Sequence, residues 1–330
     1  MSNVLLKILH RLRQSYTYRK KIDLNNIFAH TFSPDFTGNE ASEYIHSLII
    51  RDEPLMVARF GSVELRILNN YLDLQKSKVD KYLDYIKGEQ IYFEWRDSIF
   101  DYNFFLFTKN NESRKSLINR YSELYKQDIK ELDVLGSWLE EEKKLKKYYP
   151  KTLKTVFLLD LEPYYHNNPW SKALEGKKVL VVHPFEESIY NQYKKRELLF
   201  KNKDVLPNFD LSVINTFHTF SGINQDQFQD WFEVLESMKK QMDATDYDIA
   251  IIGCGPYGFH LAAHAKRRGK QGIHLGGATQ LLFGIIGKRW EEPDYKNFAG
   301  DFFNEHWSRP LPSESPEKEV KKSLDKETYW

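Results

Sequence analysis

The sequence predicts an α/β protein: a Rossmann-like, mostly parallel sheet flanked by helices. Three observations lead there. The apolar runs "VLVV" at 179–182 and "IAII" at 249–252 do not alternate, which suits strands buried on both faces of a parallel sheet. Through the second half of the chain such runs take turns with amphipathic helical segments. Finally, "IIGCGPYGFHLAAHAKRRGKQGIHLGG", residues 251–277, sets Gly253, Gly255 and Gly258 as G-x-G-x-x-G between a strand end and a helix.

Taken in order, residues 1–22 form a basic amphipathic segment. Lys7, Arg11, Arg13, Arg19, Lys20 and Lys21 precede the first acid, Asp23, while Val4, Leu5, Ile8, Leu9 and Leu12 share one helical face. Lys7 interrupts the apolar stretch too early for a signal-peptide core. Two readings stand: a helix lying on an anionic membrane surface, or one docked on its own domain. Residues 23–308 follow as the Rossmann-like domain. Within it 40–50 reads as a helix, "PLMVARFG" at 54–61 as a strand, and "SVELRILNNYL" as the next helix. Residues 75–150, dense in charge and aromatics, read as a helical insertion, with a strand near 153–159. After the strand at 179–182 and a break at His183-Pro184 come a helix, a strand in "FDLSVINTFHTFSG", and the helix of "QDQFQDWFEVLESMKKQM". Residues 309–330, punctuated by proline and charge, read as a loose tail.

Composition narrows the classes. At 330 residues with 41% hydrophobic and 29% charged residues the chain has the makings of a folded core. A formal charge of +1 makes no case for nucleic acid as a partner. Cys254 is the only cysteine, so an intramolecular disulfide and a cysteine zinc site are both excluded, in keeping with a cytoplasmic setting. No run reaches the roughly 18 apolar residues of a membrane span.

The glycine loop admits a dinucleotide, another phosphate-bearing ligand, or a purely structural turn. Pro256 suits the first helical turn, and a helix N-terminus favours an anion. The dinucleotide reading expects a carboxylate about 20 residues on, at the end of the second strand. The chain has His274 there.

Other candidates stand at strand ends, where open α/β sheets bind ligands. Arg59, Gly61, Ser62 and Glu64 in "ARFGSVEL" offer a cation for phosphate and a carboxylate for a metal or sugar hydroxyl; equally, Glu64 can support the helix start and pair with Arg59. "VVHPFEES" supplies His183 as a base together with Glu186 and Glu187, although two acids also suit a first helical turn. His260 and His264 have metal-ligand spacing, but Ala262 and Ala263 between them bring no chemistry, and a packed or surface pair is the simpler reading. "HLGGATQLLFGIIGKRW" adds Gly276, Gly277 and Arg289, the last beside Trp290.

Three segments together, "VARFGSVE", "KKVLVVHPF" and "DYDIAIIGCGPYGFHLAAHAKRRGKQGIHLGG", resemble the GT-D class of bacterial glycosyltransferases and related polysaccharide-biosynthesis proteins. The resemblance spans roughly residues 50–70 and 170–290. It implies a nucleotide-sugar donor, such as a UDP-sugar, and transfer to a glycan or lipid-linked glycan acceptor at the inner face of the cytoplasmic membrane. It aligns Gly253, Gly255, Pro256 and Gly258 with the family's glycine-proline turn, and sets His274 and Gly276 at a short polar strand end. The family's Arg-Phe-Gly-Asp-x-Glu becomes Arg59-Phe60-Gly61-Ser62-Val63-Glu64 here. The resemblance then implies Glu64 as the ligand for Mn²⁺ or Mg²⁺, but Ser62 replaces the aspartate and is a poor substitute for an anionic donor. The implied chemistry has Arg59, the loop amides, Arg196 or Arg289 neutralising the leaving diphosphate, and His183, Glu186 or Glu64 taking the acceptor proton. The alternatives are an NAD(P)-binding oxidoreductase and a catalytically silent relative that binds a glycan or a partner.

Overall fold

The computed structural model describes residues 3–21, 33–89, 105–216, 225–292 and 302–314. Among these residues seven strands form one sheet: β1 (Leu55–Ala58), β2 (Val134–Ser137), β3 (Lys154–Phe157), β4 (Lys178–Val182), β5 (Asp210–Ile214), β6 (Ile249–Ile252) and β7 (Gln271–His274). Their order is β3-β2-β1-β7-β6-β4-β5, and every pairing is parallel. The fold is α/β and Rossmann-like, as expected.

Burial explains which strands the sequence displays. The inner strands β1, β2, β6 and β7 are buried at all four positions, and β4 at all but its first. The edge strands β3 and β5 are mostly half-buried. Only strands covered on both faces need a continuous apolar run. Segment 75–150 is helical over α4 (Lys78–Lys87) and α5 (Arg114–Asp128). It also supplies β2, which bridges β1 and β3, so it belongs to the sheet as well as to its helical cover. The chain leaves β1 at Ala58, so Arg59 to Gly61 stand beyond the strand end.

Helices cover the two faces. On one lie α3 (Ser62–Gln75), α5, α7 (Trp231–Ala244) and α8 (Gly258–Arg267), whose Leu65, Tyr121, Trp231 and Phe259 share a core with Met56, Leu180 and Ile252. On the other lie α2 (Gly38–Ile49), α6 (Glu186–Tyr193), α9 (Ala278–Leu282) and the turns of 158–174, whose Ile45, Ile189, Leu281 and Trp170 pack on Val57, Val181 and Ile251. The chain therefore leaves neighbouring strands toward opposite faces: β6 to α8 but β4 to α6, and β1 to α3 but β7 to α9. Such reversals open a crevice outside the carboxyl ends of the strands, where ligands of this architecture bind.

The amino-terminal segment forms α1 (Asn3–Lys20), packed against α4. The tail is anchored as far as it is described. The Glu314 carboxylate accepts from the Glu187 N–H at 2.7 Å and the Ser188 N–H at 3.2 Å, and from the Ser188 hydroxyl, capping α6. Arg309 pairs with Glu291 at 2.5 Å. The remainder of the expected tail, 315–330, lies outside the described residues.

Candidate functional site

Four adjacent strands, β4, β6, β7 and β1, carry sequence candidates at their carboxyl ends: His183, Gly253, Gly276 and Arg59. With neighbouring strands about 4.8 Å apart, this edge runs about 14 Å from His183 to Arg59.

The glycine loop is more closed than its motif implies. A Cβ on Gly253 would lie 2.6 Å from Thr279 Cβ and 2.7 Å from His183 Cδ2, and its N–H donates to the Val182 carbonyl at 2.9 Å. A Cβ on Gly258 would lie 2.4 Å from His274 Cδ2, and its N–H donates to Gly255 within the turn. Both residues are glycine so that side chains can pack on them. Gly255 alone is exposed, in a left-handed conformation with φ +59°, and Pro256 brings no N–H. The cradle of amides expected around Gly255–Gly258 thus narrows to the backbone at Gly255.

His183 is 3% exposed, and its Nδ1 accepts the Phe185 N–H at 3.1 Å. With that lone pair engaged, Nδ1 is not available to take a proton. Glu186 lies half-buried in the first turn of α6, and Gly277 precedes α9. Arg196 does not join the edge. It stacks 5.5 Å from the Tyr193 ring, whose hydroxyl bonds the Pro207 and Phe209 carbonyls just before β5, at the opposite end of the sheet.

Around Arg59 the structure gathers residues from five segments. Its half-buried guanidinium lies 5.2 Å from the Trp138 ring, and a Cβ on Gly276 would be 3.6 Å from its Nη1. Trp138 is itself fixed by its Nε1–H donating to the Phe60 carbonyl at 2.9 Å. Gly276 adopts φ +64° and bonds Ile252 at 3.2 Å, which brings the start of the β7–α9 loop under the arginine.

Three carboxyls feel the Arg59 charge. Glu64 folds back over Gly61, its Oε2 only 2.0 Å from where a Cβ there would be. Burial raises its pKa, against its own N–H and Arg59. Glu142 is buried and accepts from the Ser137 hydroxyl, the Trp138 N–H at 3.2 Å and the Leu139 N–H at 3.0 Å; burial raises its pKa too. Glu162 follows β3 and accepts from the Tyr164 hydroxyl. Burial pushes it up to about 7, opposed by that hydrogen bond and by the charges of Arg59 and Arg289. His274 is held neutral with a pKa of about 3, by burial first and then by the Arg59 charge; its ring bonds the Arg59 carbonyl, and Nδ1 has no partner. Although these acids lower or share its field, Arg59 itself has no ion pair within 4.0 Å among the described residues.

The sequence reading missed Trp138, Glu142 and Glu162. Glu162 was within reach, as an acid shortly beyond a recognised strand; the other two follow β2, which was hidden in a segment read as helical.

The residues present do not fit a divalent cation. Ser62 stands where an anionic donor is needed, Glu64 is turned onto its own helix start, and the nearest charge is a guanidinium. Among the described residues no group of three His, Cys, Asp or Glu side chains could hold a metal. His260 and His264 have separate partners, Asp128 at 2.6 Å and Asp243 at 2.9 Å. A cleft of about 430 Å³ lies away from this edge, lined by Tyr71, Asp73, Lys76, Lys126, Lys144 and Tyr148. Three of its lysines are paired, Lys76 and Lys144 with Asp73 and Lys126 with Glu123, and the fourth, Lys147, lies 5.0 Å from the Tyr148 ring.

No protein-family model matches the chain, and no curated protein matches it. A solved structure described as the selenomethionine-substituted structure of domain of unknown function 1792 is similar to it at 14% identity, covering 88% of this chain and 93% of that one, with a TM-score of 0.36. So low a score carries no functional argument. Among the described residues no helix is long and apolar enough to cross a membrane.

Proposed function

We propose that the chain is a glycosyltransferase that moves a sugar from a nucleotide-sugar donor, such as a UDP-sugar, to a glycan or lipid-linked glycan. One observation carries the reading: Arg59 is a half-buried guanidinium at the sheet's carboxyl edge, braced by Trp138 and Gly276, yet without an ion pair among the described residues. A partly buried guanidinium without a direct ion pair retains capacity for an anion, and a bound anion strengthens its compensation. The likeness of three segments to the GT-D class supplies the kind of anion, a nucleoside diphosphate.

In this mechanism the bond from the sugar's anomeric carbon to the diphosphate breaks, and its electron pair leaves with the diphosphate. Arg59 and Arg289 meet that developing charge, with close backbone approach at Gly255. The acceptor oxygen forms the new bond to the anomeric carbon. Glu162 is the best-suited base for its proton, because a carboxyl near neutrality combines basicity with availability. Glu64, folded onto its own helix start, and His183, whose Nδ1 is engaged, fall behind it. No step runs through a metal.

NAD(P) chemistry is disfavoured. His274, where a ribose carboxylate belongs, is buried, neutral and turned toward the Arg59 carbonyl. The test is a panel of nucleotide-sugars and NAD(P)H, with and without Mn²⁺, followed by thermal stability and donor hydrolysis. Stabilisation by one donor, independent of Mn²⁺ and lost in Arg59→Ala, is expected. A shift with NAD(P)H alone would overturn the reading, and donor binding without turnover on any acceptor would favour a silent relative.

A further inference from the structure

The two readings of the amino-terminal segment, self-docking and membrane contact, turn out to use different faces of one helix. α1 docks on α4 through Leu9, which is 4% exposed, and through Arg13, whose Nη1 donates to the Tyr85 carbonyl at 3.2 Å while its guanidinium lies 4.4 Å from that ring's centre. His10 Nδ1 and the Tyr85 hydroxyl meet at 2.7 Å. This contact leaves Val4, Ile8 and Leu12 exposed at 67%, 49% and 47%. Spaced four apart, they form one apolar stripe. Lys7, Arg11, Arg19 and Lys20 are exposed on the same helix, and residues 1–22 contain six basic side chains and no acidic one.

We propose that this outward face of α1 docks the protein on an anionic lipid bilayer. An apolar stripe flanked by cations matches the boundary between acyl chains and acidic headgroups. Three apolar side chains are too few to hold a neutral bilayer alone, so the attraction depends on anionic lipid. A second copy is a poor occupant, because two such helices repel each other. A nucleic acid would meet the charges and leave Val4, Ile8 and Leu12 in water. Because α1 is already braced by α4, binding needs no folding of the helix at the surface, and insertion is shallow. The inference is independent of the reaction at Arg59.

The experiment is flotation of the full chain with phosphatidylcholine vesicles, with and without phosphatidylglycerol. Binding only with the anionic lipid, released by high salt, is expected. The triple variant Lys7→Gln/Arg11→Gln/Arg19→Gln should lose about 100-fold in partitioning. Val4→Ser/Ile8→Ser/Leu12→Ser should lose at least about tenfold, with circular dichroism confirming that the helix persists, since Leu9 and Arg13 carry its contact with α4. Equal flotation with neutral vesicles, no flotation at all, or unaltered binding by either variant would overturn the proposal. So would a concentration-dependent dimer that the serine variant abolishes.

Discussion

Gly258→Ala separates a local preference from a tertiary one. Gly258 opens α8, where alanine is the better helix former by up to about 1 kcal/mol, and by less in the first turn. Propensity alone therefore predicts a gain. The structure predicts a loss, since the new Cβ would sit 2.4 Å from His274 Cδ2 and 2.5 Å from Nε2. The ring cannot swing clear, being 3% exposed and bonded to the Arg59 carbonyl. Overpacking of this kind costs about 1–3 kcal/mol, so the net loss is about 1–2 kcal/mol. Urea unfolding followed by tryptophan fluorescence reads it as a lower midpoint at unchanged slope. Gly258→Ala/His274→Ala removes the clash, and the double variant should be more stable than the two single effects added together, by at least about 1 kcal/mol. A stabilised Gly258→Ala, or strict additivity, would refute the close contact between α8 and β7.

The carboxyl group of Glu162 should appear in the pH dependence of donor turnover. The rate should rise with pH to half its maximum near 7, and Glu162→Gln should abolish that limb together with most of the activity. Tyr164→Phe removes a hydrogen bond that favours the charged form, so its limb should move to higher pH; a shift downward would contradict the assignment. The buried Asp128 hydrogen-bonds His260 at 2.6 Å and forms an ion pair with Arg267 at 2.6 Å, and Asp128→Ala should cost about 3–5 kcal/mol in chemical unfolding, with Asp128→Asn costing less. His274 has a folded-state pKa of about 3 against an ordinary 6.5, so the unfolded chain binds its proton first. Stability present above pH 6.5 should drain as pH falls toward 3, by at most about 5 kcal/mol, and His274→Gln should flatten that part of the unfolding-midpoint profile.

How much of this was legible beforehand differs from segment to segment. β4 and β6 stand out because strands covered on both faces must be apolar throughout, and four aliphatic residues in a row have few other uses. β2 did not, because Val-Leu-Gly-Ser between charged stretches lacks that length, and only its pairing with β1 and β3 makes it a strand. The amino-terminal helix was plain from its spacing, whereas the choice of docking face needed α4 beside it. Arg59 stands just beyond the carboxyl end of β1, where "ARFGSVEL" places it, yet nothing in that stretch reveals that its guanidinium has no ion pair among the described residues. Of the readings open for Glu64, support of the helix start is the one its geometry matches, the carboxylate folding over Gly61 and accepting from its own N–H.

By itself, then, the sequence determined where the amphipathic helices and the continuously apolar strands lie, that they alternate into a parallel sheet, and that glycines, an arginine and acids fall at strand ends. These follow from periodicity, chain chirality and residue size, which act over a few neighbours. The tertiary structure alone decided which glycine faces outward, which imidazole keeps a free lone pair, and which carboxyl titrates near neutrality. Those properties depend on desolvation and on charges brought from β1, the turn after β3 and the loop after α9, and chain separation hides such neighbours until the sheet assembles.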